Sequence, residues 1–259
     1  MERGGIVKSL MILFFFICVI SCTQAPKKET LEKNVKLKPN QTGFLRVNGT
    51  DIYYEEFGQG DPLVLLHGGG SDMYVSFGKG IALLSKHFRV IAFDEQGHGK
   101  SPVSARAFGF ENTADDIVEA LKQLKINNAK FLGFSNGATT GMYVAIRHPG
   151  VMSKLVLGSG LYSRSGAPKE FWGMMNKATI EMMPQELKDA YLKRSPRPED
   201  LPKVFEYDSN RMRAFKDVPE KSIRRISVPV LIMQNDQDVA SVEHAVHVTR
   251  LLPKGRIAI

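Results

Sequence analysis

Cysteine is nearly absent from this sequence. The 259 residues contain two cysteines, Cys18 and Cys22, and both lie within the first 22 residues. The rest of the chain has no cysteine to pair, which excludes a disulfide-stapled scaffold and leaves a hydrophobic core to stabilise the fold. At this length a single domain can bury enough apolar surface to do so.

Signatures of nucleic-acid and metal binding are also lacking. The net charge is +8, but no lysine or arginine cluster stands out, so a solvated surface is favoured over a site for anionic headgroups or acidic substrates. There is no aromatic-interleaved basic patch, no zinc-ligand spacing and no phosphate-binding glycine loop with its lysine. We therefore expect no nucleic-acid partner, no metal and no organic cofactor.

One long apolar run is present, at residues 10–20, and it is too short for a comfortable transmembrane helix. Preceded by Arg3 and Lys8, it has the flanks of a secretory signal. Residues 19–22 read Val-Ile-Ser-Cys and resemble a bacterial lipobox, in which the cysteine, here Cys22, is lipidated and becomes the new N-terminus.

This resemblance implies a lipoprotein signal peptide over residues 1–22 and an exported protein anchored to a membrane of the bacterial cell envelope. An ordinary signal peptide cut near Ala25 and an uncleaved anchor remain as alternatives. Residues 23–42 are rich in lysine, glutamate and proline. They predict a flexible tether between the anchor and the folded domain.

The most informative motif lies at residues 133–137, which read Gly-Phe-Ser-Asn-Gly. It follows an apolar, strand-like run at 129–132 and leads into a helix-like run. A serine on such a sharp turn projects its hydroxyl above a sheet, while small neighbours let strand and helix approach closely. Ser135 is therefore a candidate nucleophile, although glycine and serine are common in loops and the motif alone is not specific.

Three other segments strengthen this interpretation. Residues 63–70 form an apolar run that ends in His-Gly-Gly-Gly, a loop able to offer backbone N–H groups to an oxyanion. Residues 89–94 lead into a glycine-punctuated turn at 95–101, and the run 228–233 precedes two aspartates. Together with the serine motif, these segments resemble the α/β-hydrolase superfamily over roughly residues 43–259.

The resemblance implies a catalytic serine, acid and histidine in that chain order. Ser135 would attack a carbonyl carbon, backbone N–H groups of Gly69 and Asn136 would stabilise the oxyanion, and Asp238 would orient the histidine. Asp236 is the alternative acid, and its other reading is a turn residue or helix cap. The implied activity is that of a serine hydrolase acting on a small or medium carboxylic ester, through an acyl-enzyme. Peroxidase, amidase and carbon–carbon hydrolase variants use the same fold.

The expected histidine is missing from its usual place, the loop after the last strand, because the sequence stops at the strand-like run 255–259. None of the six histidines is an obvious substitute. His67 and His98 lie in the two glycine turns, where the resemblance implies a structural role in holding the loops by hydrogen bonds. His244 and His247 are expected on the polar face of an amphipathic helix at 241–252.

The other two histidines, His148 at a predicted helix end and His87 on the surface, are no better placed. One interpretation is a C-terminally truncated copy of a working hydrolase, which we favour because the other catalytic elements are intact. The other is a genuine form without its base, an inactive hydrolase or a lipid-anchored ligand binder.

The remaining pattern predicts an α/β fold. Residues 43–58 read as a hairpin that turns at Asn48 and Gly49. Apolar strands near residues 63, 89, 129, 154, 229 and 255 then alternate with helical stretches, one of them capped by Thr113. Such alternation predicts a mostly parallel twisted sheet with helices on both faces. The alternation stops at 161–226, and the resemblance to the α/β-hydrolase superfamily implies that this stretch is a helical cap inserted into a core of 43–160 and 227–259.

Overall fold

The computed structural model describes residues 37–259. The predicted signal peptide, Cys22 and most of the predicted tether lie outside the described residues. The described chain forms one eight-stranded sheet with strand order β1-β2-β4-β3-β5-β6-β7-β8. The strands are β1 (Gln41–Val47), β2 (Thr50–Phe57), β3 (Pro62–Leu66), β4 (Arg89–Asp94), β5 (Ala129–Phe134), β6 (Met152–Gly158), β7 (Val230–Met233) and β8 (Gly255–Ala258).

The pairing confirms the predicted mostly parallel sheet. β1, β2 and β4 are antiparallel neighbours, and every pair from β4 to β8 is parallel. The predicted hairpin joins β1 and β2, with Asn48 at φ 46° and Gly49 at φ 87°, the positive angles that a tight hairpin turn requires. The sheet begins two residues before the predicted core boundary at 43, because Gln41 pairs with Glu56 and Thr42 with Glu55.

Eight α-helices are present within residues 37–259. They are α1 (Met73–Leu84), α2 (Phe110–Gln123), α3 (Asn136–Arg147), α4 (Lys169–Asn176), α5 (Gln185–Arg194), α6 (Leu201–Arg213), α7 (Glu220–Ile223) and α8 (Val242–Leu251). No helix in this range is long and apolar enough to cross a membrane.

Side-chain alternation along the central strands builds a core on each face of the sheet. Leu63 and Leu65 pack with buried residues of α1, whereas Val64 and Leu66 pack with the buried faces of α2, α3 and α8. Successive strand residues point to opposite faces, so a continuous apolar run such as 63–66 is what a strand covered on both sides needs. Helices therefore lie on both faces, as the sequence predicts.

The segment between β6 and β7, which we call the cap, contains α4 to α7. Prolines divide it: Pro184 and Pro219 precede α5 and α7, and Pro202 lies in the first turn of α6, where a missing N–H costs nothing. Two apolar clusters stabilise these helices. One surrounds Trp172 and the other surrounds Leu187.

Two local expectations were wrong. Thr113 does not cap a helix, because α2 begins at Phe110 after Gly109, and the Thr113 hydroxyl donates to the Gly109 carbonyl 3.0 Å away. His244 does not lie on a polar face. It is buried, its ring stacks on Tyr162 at 4.2 Å, and its Nε2 accepts from the Tyr162 N–H.

Candidate active site

Ser135 lies at the sharp turn between β5 and α3. Its backbone has φ 53° and ψ −118°, a conformation that L-residues rarely adopt and that persists only where the surroundings impose it. The Ser135 N–H donates to the Gly158 carbonyl of the neighbouring β6 at 2.8 Å, and its own carbonyl accepts from the Ala138 N–H at 2.9 Å. Strand and helix thus hold the turn from both sides, with the serine side chain partly exposed.

The two glycines of the motif are required by close backbone approach. A Cβ at Gly133 would overlap the Gly137 carbonyl, and a Cβ at Gly137 would overlap the carbonyls of Leu66 and His67. Helix α3 can therefore press against the ends of β3 and β5 only because both positions lack a side chain. This packing is the physical reason for the spacing of the Gly-x-Ser-x-Gly motif.

The loop after β3, residues 67–70, lies beside the serine. A Cβ built at Gly68 would be 3.4 Å from Ser135 Cβ. Within the loop, the Gly68 N–H donates to Ser76 Oγ at 3.1 Å and the Gly70 N–H donates to Asp208 Oδ2 at 2.7 Å. The Gly69 N–H between them has no hydrogen-bond acceptor within residues 37–259.

Asn136 contributes the second free N–H. It is the first residue of α3, and its N–H likewise has no acceptor in the described chain. Its side chain packs against the backbone of Gly69, where a Cβ would overlap the amide nitrogen. Two unused N–H groups thus lie next to the serine, an arrangement suited to stabilising an oxyanion.

Asp238 follows β7 at the same edge of the sheet. The Ser159 N–H after β6 donates to the Met233 carbonyl at the end of β7, at 3.0 Å, so the carboxyl ends of β6 and β7 lie side by side. Asp238 Oδ1 accepts from the Val239 N–H at 2.6 Å. Its Oδ2 is buried and has no hydrogen-bond partner within residues 37–259. Asp236 is exposed.

His67 and His98 have both ring nitrogens occupied. The Glu95 N–H donates to His67 Nε2 at 2.9 Å, so Nδ1 carries the proton and donates to the Gly68 carbonyl at 2.8 Å. His98 faces the Gln96 carbonyl with Nδ1, at 3.0 Å, and Asp208 with Nε2, at 2.8 Å. Neither ring has a nitrogen left to take a proton from Ser135. Both hold loops, as the sequence suggests.

Three of the other described histidines, His148, His244 and His247, are engaged elsewhere, and His87 is exposed. His148 contacts Asp115 and His247 contacts Glu220. Burial, followed by the nearby His247, lowers the pKa of His244 to about 4. Within residues 37–259, no group of three or more His, Cys, Asp or Glu side chains is arranged to hold a metal ion.

A buried charge cluster joins the cap to these loops, and the sequence does not reveal it. Asp208 and Arg211 of α6 contact His98 and Glu95 of the loop after β4. Burial alone would raise the pKa of Asp208, but Arg211, His98 and the Gly70 N–H outweigh it and hold that pKa well below its usual range. Burial opposes protonation of His98, yet the adjacent Asp208 carboxylate raises its pKa.

Apolar cap residues lie over the same loop. A Cβ at Gly70 would be 3.7 Å from Met183 and from Leu187. Other apolar cap residues are used in packing: Phe171, Trp172 and Met175 pack in one apolar cluster, together with Phe110 and Ala240 of the core, and Met183 packs in the other.

Comparisons with known proteins agree with this architecture. The sequence model of the alpha/beta hydrolase fold matches residues 61–197. Human serine hydrolase BPHL is 30% identical over 216 residues, covering 74% of this chain and 68% of that protein. The enol-lactonase from Burkholderia xenovorans LB400 superposes with a TM-score of 0.66 at 26% identity, covering 83% of this chain and 90% of that one.

A further relative is the (E)-2-((N-methylformamido)methylene)succinate hydrolase of Acinetobacter baylyi, which is 30% identical over 123 residues. That match covers 48% of this chain and 46% of the relative, so the chain aligns with about half of that protein's length. The chain belongs to the α/β-hydrolase fold family. These relatives are two hydrolases and an enol-lactonase, and the family to which the chain belongs is one of hydrolases.

Proposed function

We propose that this protein is a serine hydrolase that cleaves a small or medium carboxylic ester, or a related acyl compound, through an acyl-enzyme. The observation that carries the proposal is the Ser135 turn. A serine at φ 53° stands between two glycines that admit no side chain, beside two N–H groups that have no acceptor in the described chain. Such a turn aims a nucleophile at a preorganised oxyanion site.

In the proposed reaction, Ser135 Oγ attacks the carbonyl carbon as a base takes its proton, and the alkoxide oxygen of the tetrahedral intermediate is stabilised by the N–H groups of Gly69 and Asn136. Collapse expels the alcohol, which receives the proton from the base. Water then attacks the acyl-enzyme by the same route and releases the acid. Asp238 would orient the base and stabilise its charged form.

We propose further that the base is a histidine other than the six in this sequence. Two observations support this proposal. Asp238 Oδ2 is buried without a partner in the described chain, as expected for the acceptor of a missing imidazole N–H. His67 and His98, which lie in the two loops of the site, have no free nitrogen. A chain continued beyond Ile259 would supply the residue.

The test compares proteins made with and without the codons downstream of Ile259, in wild-type and Ser135→Ala forms. The continued wild-type chain is expected to hydrolyse a chromogenic short-chain ester and to react with a fluorophosphonate probe at Ser135. Ser135→Ala should lose both activities. Ser153→Ala is a matched control, because within residues 37–259 the Ser153 hydroxyl bonds only the Ala129 carbonyl in β5.

Retained turnover in Ser135→Ala would remove the serine hypothesis. A stop codon directly after Ile259, together with ligand binding but no probe reaction, would favour the inactive or ligand-binding alternative. Amide, peroxide and carbon–carbon substrates belong in the same assay, since the fold alone does not discriminate among them.

We also propose that the enzyme is tethered to a membrane of a bacterial cell envelope through a lipid on Cys22. The support is the sequence at 19–22 and the short apolar run before it. Cells fed a radiolabelled fatty acid should label the wild-type protein and not Cys22→Ala, with Cys18→Ala as the matched control. Equal labelling of both variants would contradict the anchor.

A further inference from the structure

Helix α6 of the cap carries polar side chains on its buried face. Leu201, Val204, Asp208 and Arg211 follow one another at helical spacing on the side that faces the catalytic loops. The first two pack in the apolar cap cluster. The last two continue the same stripe with opposite charges, although carboxylates and guanidiniums are rarely buried without a specific partner.

Their partners come from the two loops of the proposed site. Asp208 Oδ2 accepts from the Gly70 N–H at 2.7 Å and from His98 Nε2 at 2.8 Å. Arg211 lies 2.6 Å from Asp208 Oδ1 and donates to Glu95 at 3.2 Å. One cap carboxylate therefore contacts the loop after β3 and the loop after β4 together, and it does so next to the proposed oxyanion site.

The contact with Gly70 has a specific consequence for its neighbour. Gly70 has φ 65° and no side chain that could hold it, so the loop is anchored by hydrogen bonds from its backbone. With Gly68 bound to Ser76 and Gly70 bound to Asp208, the peptide between them is fixed at both ends. The Gly69 N–H, which has no acceptor in the described chain, is thereby held in place.

We propose that Asp208 is a positioning residue: docked from the cap, its carboxylate holds Gly70 and so orients the Gly69 N–H toward the oxyanion. The inference rests on the proposed function and extends it, because it makes the cap a part of the oxyanion site and not only a cover. The polar contacts of Asp208 are with Gly70, His98 and Arg211, and none is with Ser135 in the described chain.

The charges of the cluster fit this role. A carboxylate close to a developing oxyanion would oppose it electrostatically, and here two cations offset two anions. The groups that face His98 are Asp208 and Arg211 from α6, Glu95 from its own loop, and His67 at a ring distance of 5.0 Å. His98 donates with both nitrogens, as an imidazolium does, which makes the set of Glu95, His98, Asp208 and Arg211 neutral overall.

The test uses the full chain that shows ester turnover, in wild-type, Asp208→Asn and Asp208→Glu forms. Glu206→Gln is the matched control, because Glu206 lies on the same helix in an exposed ion pair with Arg213. In Asp208→Asn, we expect the Gly70 amide to lose protection from hydrogen exchange. We also expect kcat to fall on the order of 10²-fold with little change in KM, since a misaligned donor is lost mainly from the transition state.

Asp208→Glu separates position from charge. It keeps the carboxylate but lengthens the side chain by about 1.5 Å, so kcat should fall while His98 remains protonated in NMR titrations. In Asp208→Asn the pKa of His98 should fall as well. Fluorescence of Trp172, the one tryptophan of the chain, reports whether the cap stays packed. If Asp208→Asn unfolds, Asp208→Glu decides the question.

Unchanged kcat in both folded variants would overturn the inference and leave Asp208 a merely structural link between cap and core. Wild-type protein without Ser135 acylation would instead refute the proposed function. Exchange at Gly70 then still decides whether Asp208 holds the loop: protection in Asp208→Asn equal to that of wild type would overturn the positioning role by itself.

Discussion

Ser135 and its flanking glycines are the part of the site that sequence reasoning reaches most directly. The motif is local, so five consecutive residues specify both the strained turn and the close approach of α3 to β3. Positions 133 and 137 admit no Cβ because backbone carbonyls occupy that space, and backbone atoms cannot move aside as a flexible side chain can.

We predict that Gly137→Ala destabilises the protein by more than about 2 kcal/mol, because the added methyl group meets the carbonyls of Leu66 and His67. Gly173→Ala is the matched control. A Cβ there meets nothing within 4 Å, and alanine in a helix interior should stabilise by about 0.5–1 kcal/mol. Urea unfolding measures both, and equal stabilities for the two variants would contradict the packing argument.

At the scale of elements, the sequence predicted the strands well and the helix starts less well. An apolar strand such as 89–94 is marked by its own composition. The start of α2 is not marked in this way. The helix begins at Phe110, whose side chain packs in an apolar cluster with Trp172 and Phe215. A tertiary contact of this kind overrides a favourable capping residue one turn later.

The ion pairs of Arg194 are contacts that the local sequence pattern does not predict. At the last turn of α5, its guanidinium lies 3.0 Å from Asp72 and 2.8 Å from Asp94 and stacks on the Tyr74 ring at 4.4 Å. Asp72 also caps α1 by accepting from the N–H groups of Tyr74 and Val75. The pair Arg194 and Asp94 is 100 residues apart in the chain, so nothing in the sequence near either residue indicates the contact.

We predict that Arg194→Met destabilises the protein by about 3–5 kcal/mol, since it leaves the fully buried Asp94 without its cation. Arg197→Met is the matched control, an arginine three residues further along the chain. Arg197 is 58% exposed in its pairs with Glu199 and Asp200, and such a surface contact contributes about 0–1 kcal/mol. Thermal or urea unfolding would contradict the prediction if the two variants lost the same stability.

For the whole molecule, the buried cluster around His98 couples protonation to folding. Because the folded pKa of His98 is raised above an unfolded value of about 6.5, its contribution to stability is fully present below about pH 6.5. That contribution is lost as the pH rises through the folded pKa. The folded pKa of His244 is lowered to about 4, so His244 has the opposite effect. Its contribution to stability is present above about pH 6.5 and is lost as the pH falls toward about 4.

We therefore predict that the free energy of unfolding falls as the pH rises above about 6.5, where His244 is neutral in both states and does not contribute. His98→Gln should remove most of this dependence, while His87→Gln, which alters an exposed histidine, should keep it. Urea titrations between about pH 6 and 9 provide the measurement, and a wild-type profile that is flat or rises over this range would contradict the buried imidazolium.

The sequence by itself determined the order of strands and helices, the hairpin, the serine turn and the loop beside it, because each depends on composition and spacing within a few residues. The tertiary structure alone decided which groups bind the rings of His98 and His67, that Asp238 Oδ2 lacks a partner in residues 37–259, and that Asp208 reaches Gly70 from 138 residues away. Hydrogen-bond partners and buried charge pairs depend on which distant segments the sheet brings together, and no local pattern encodes that.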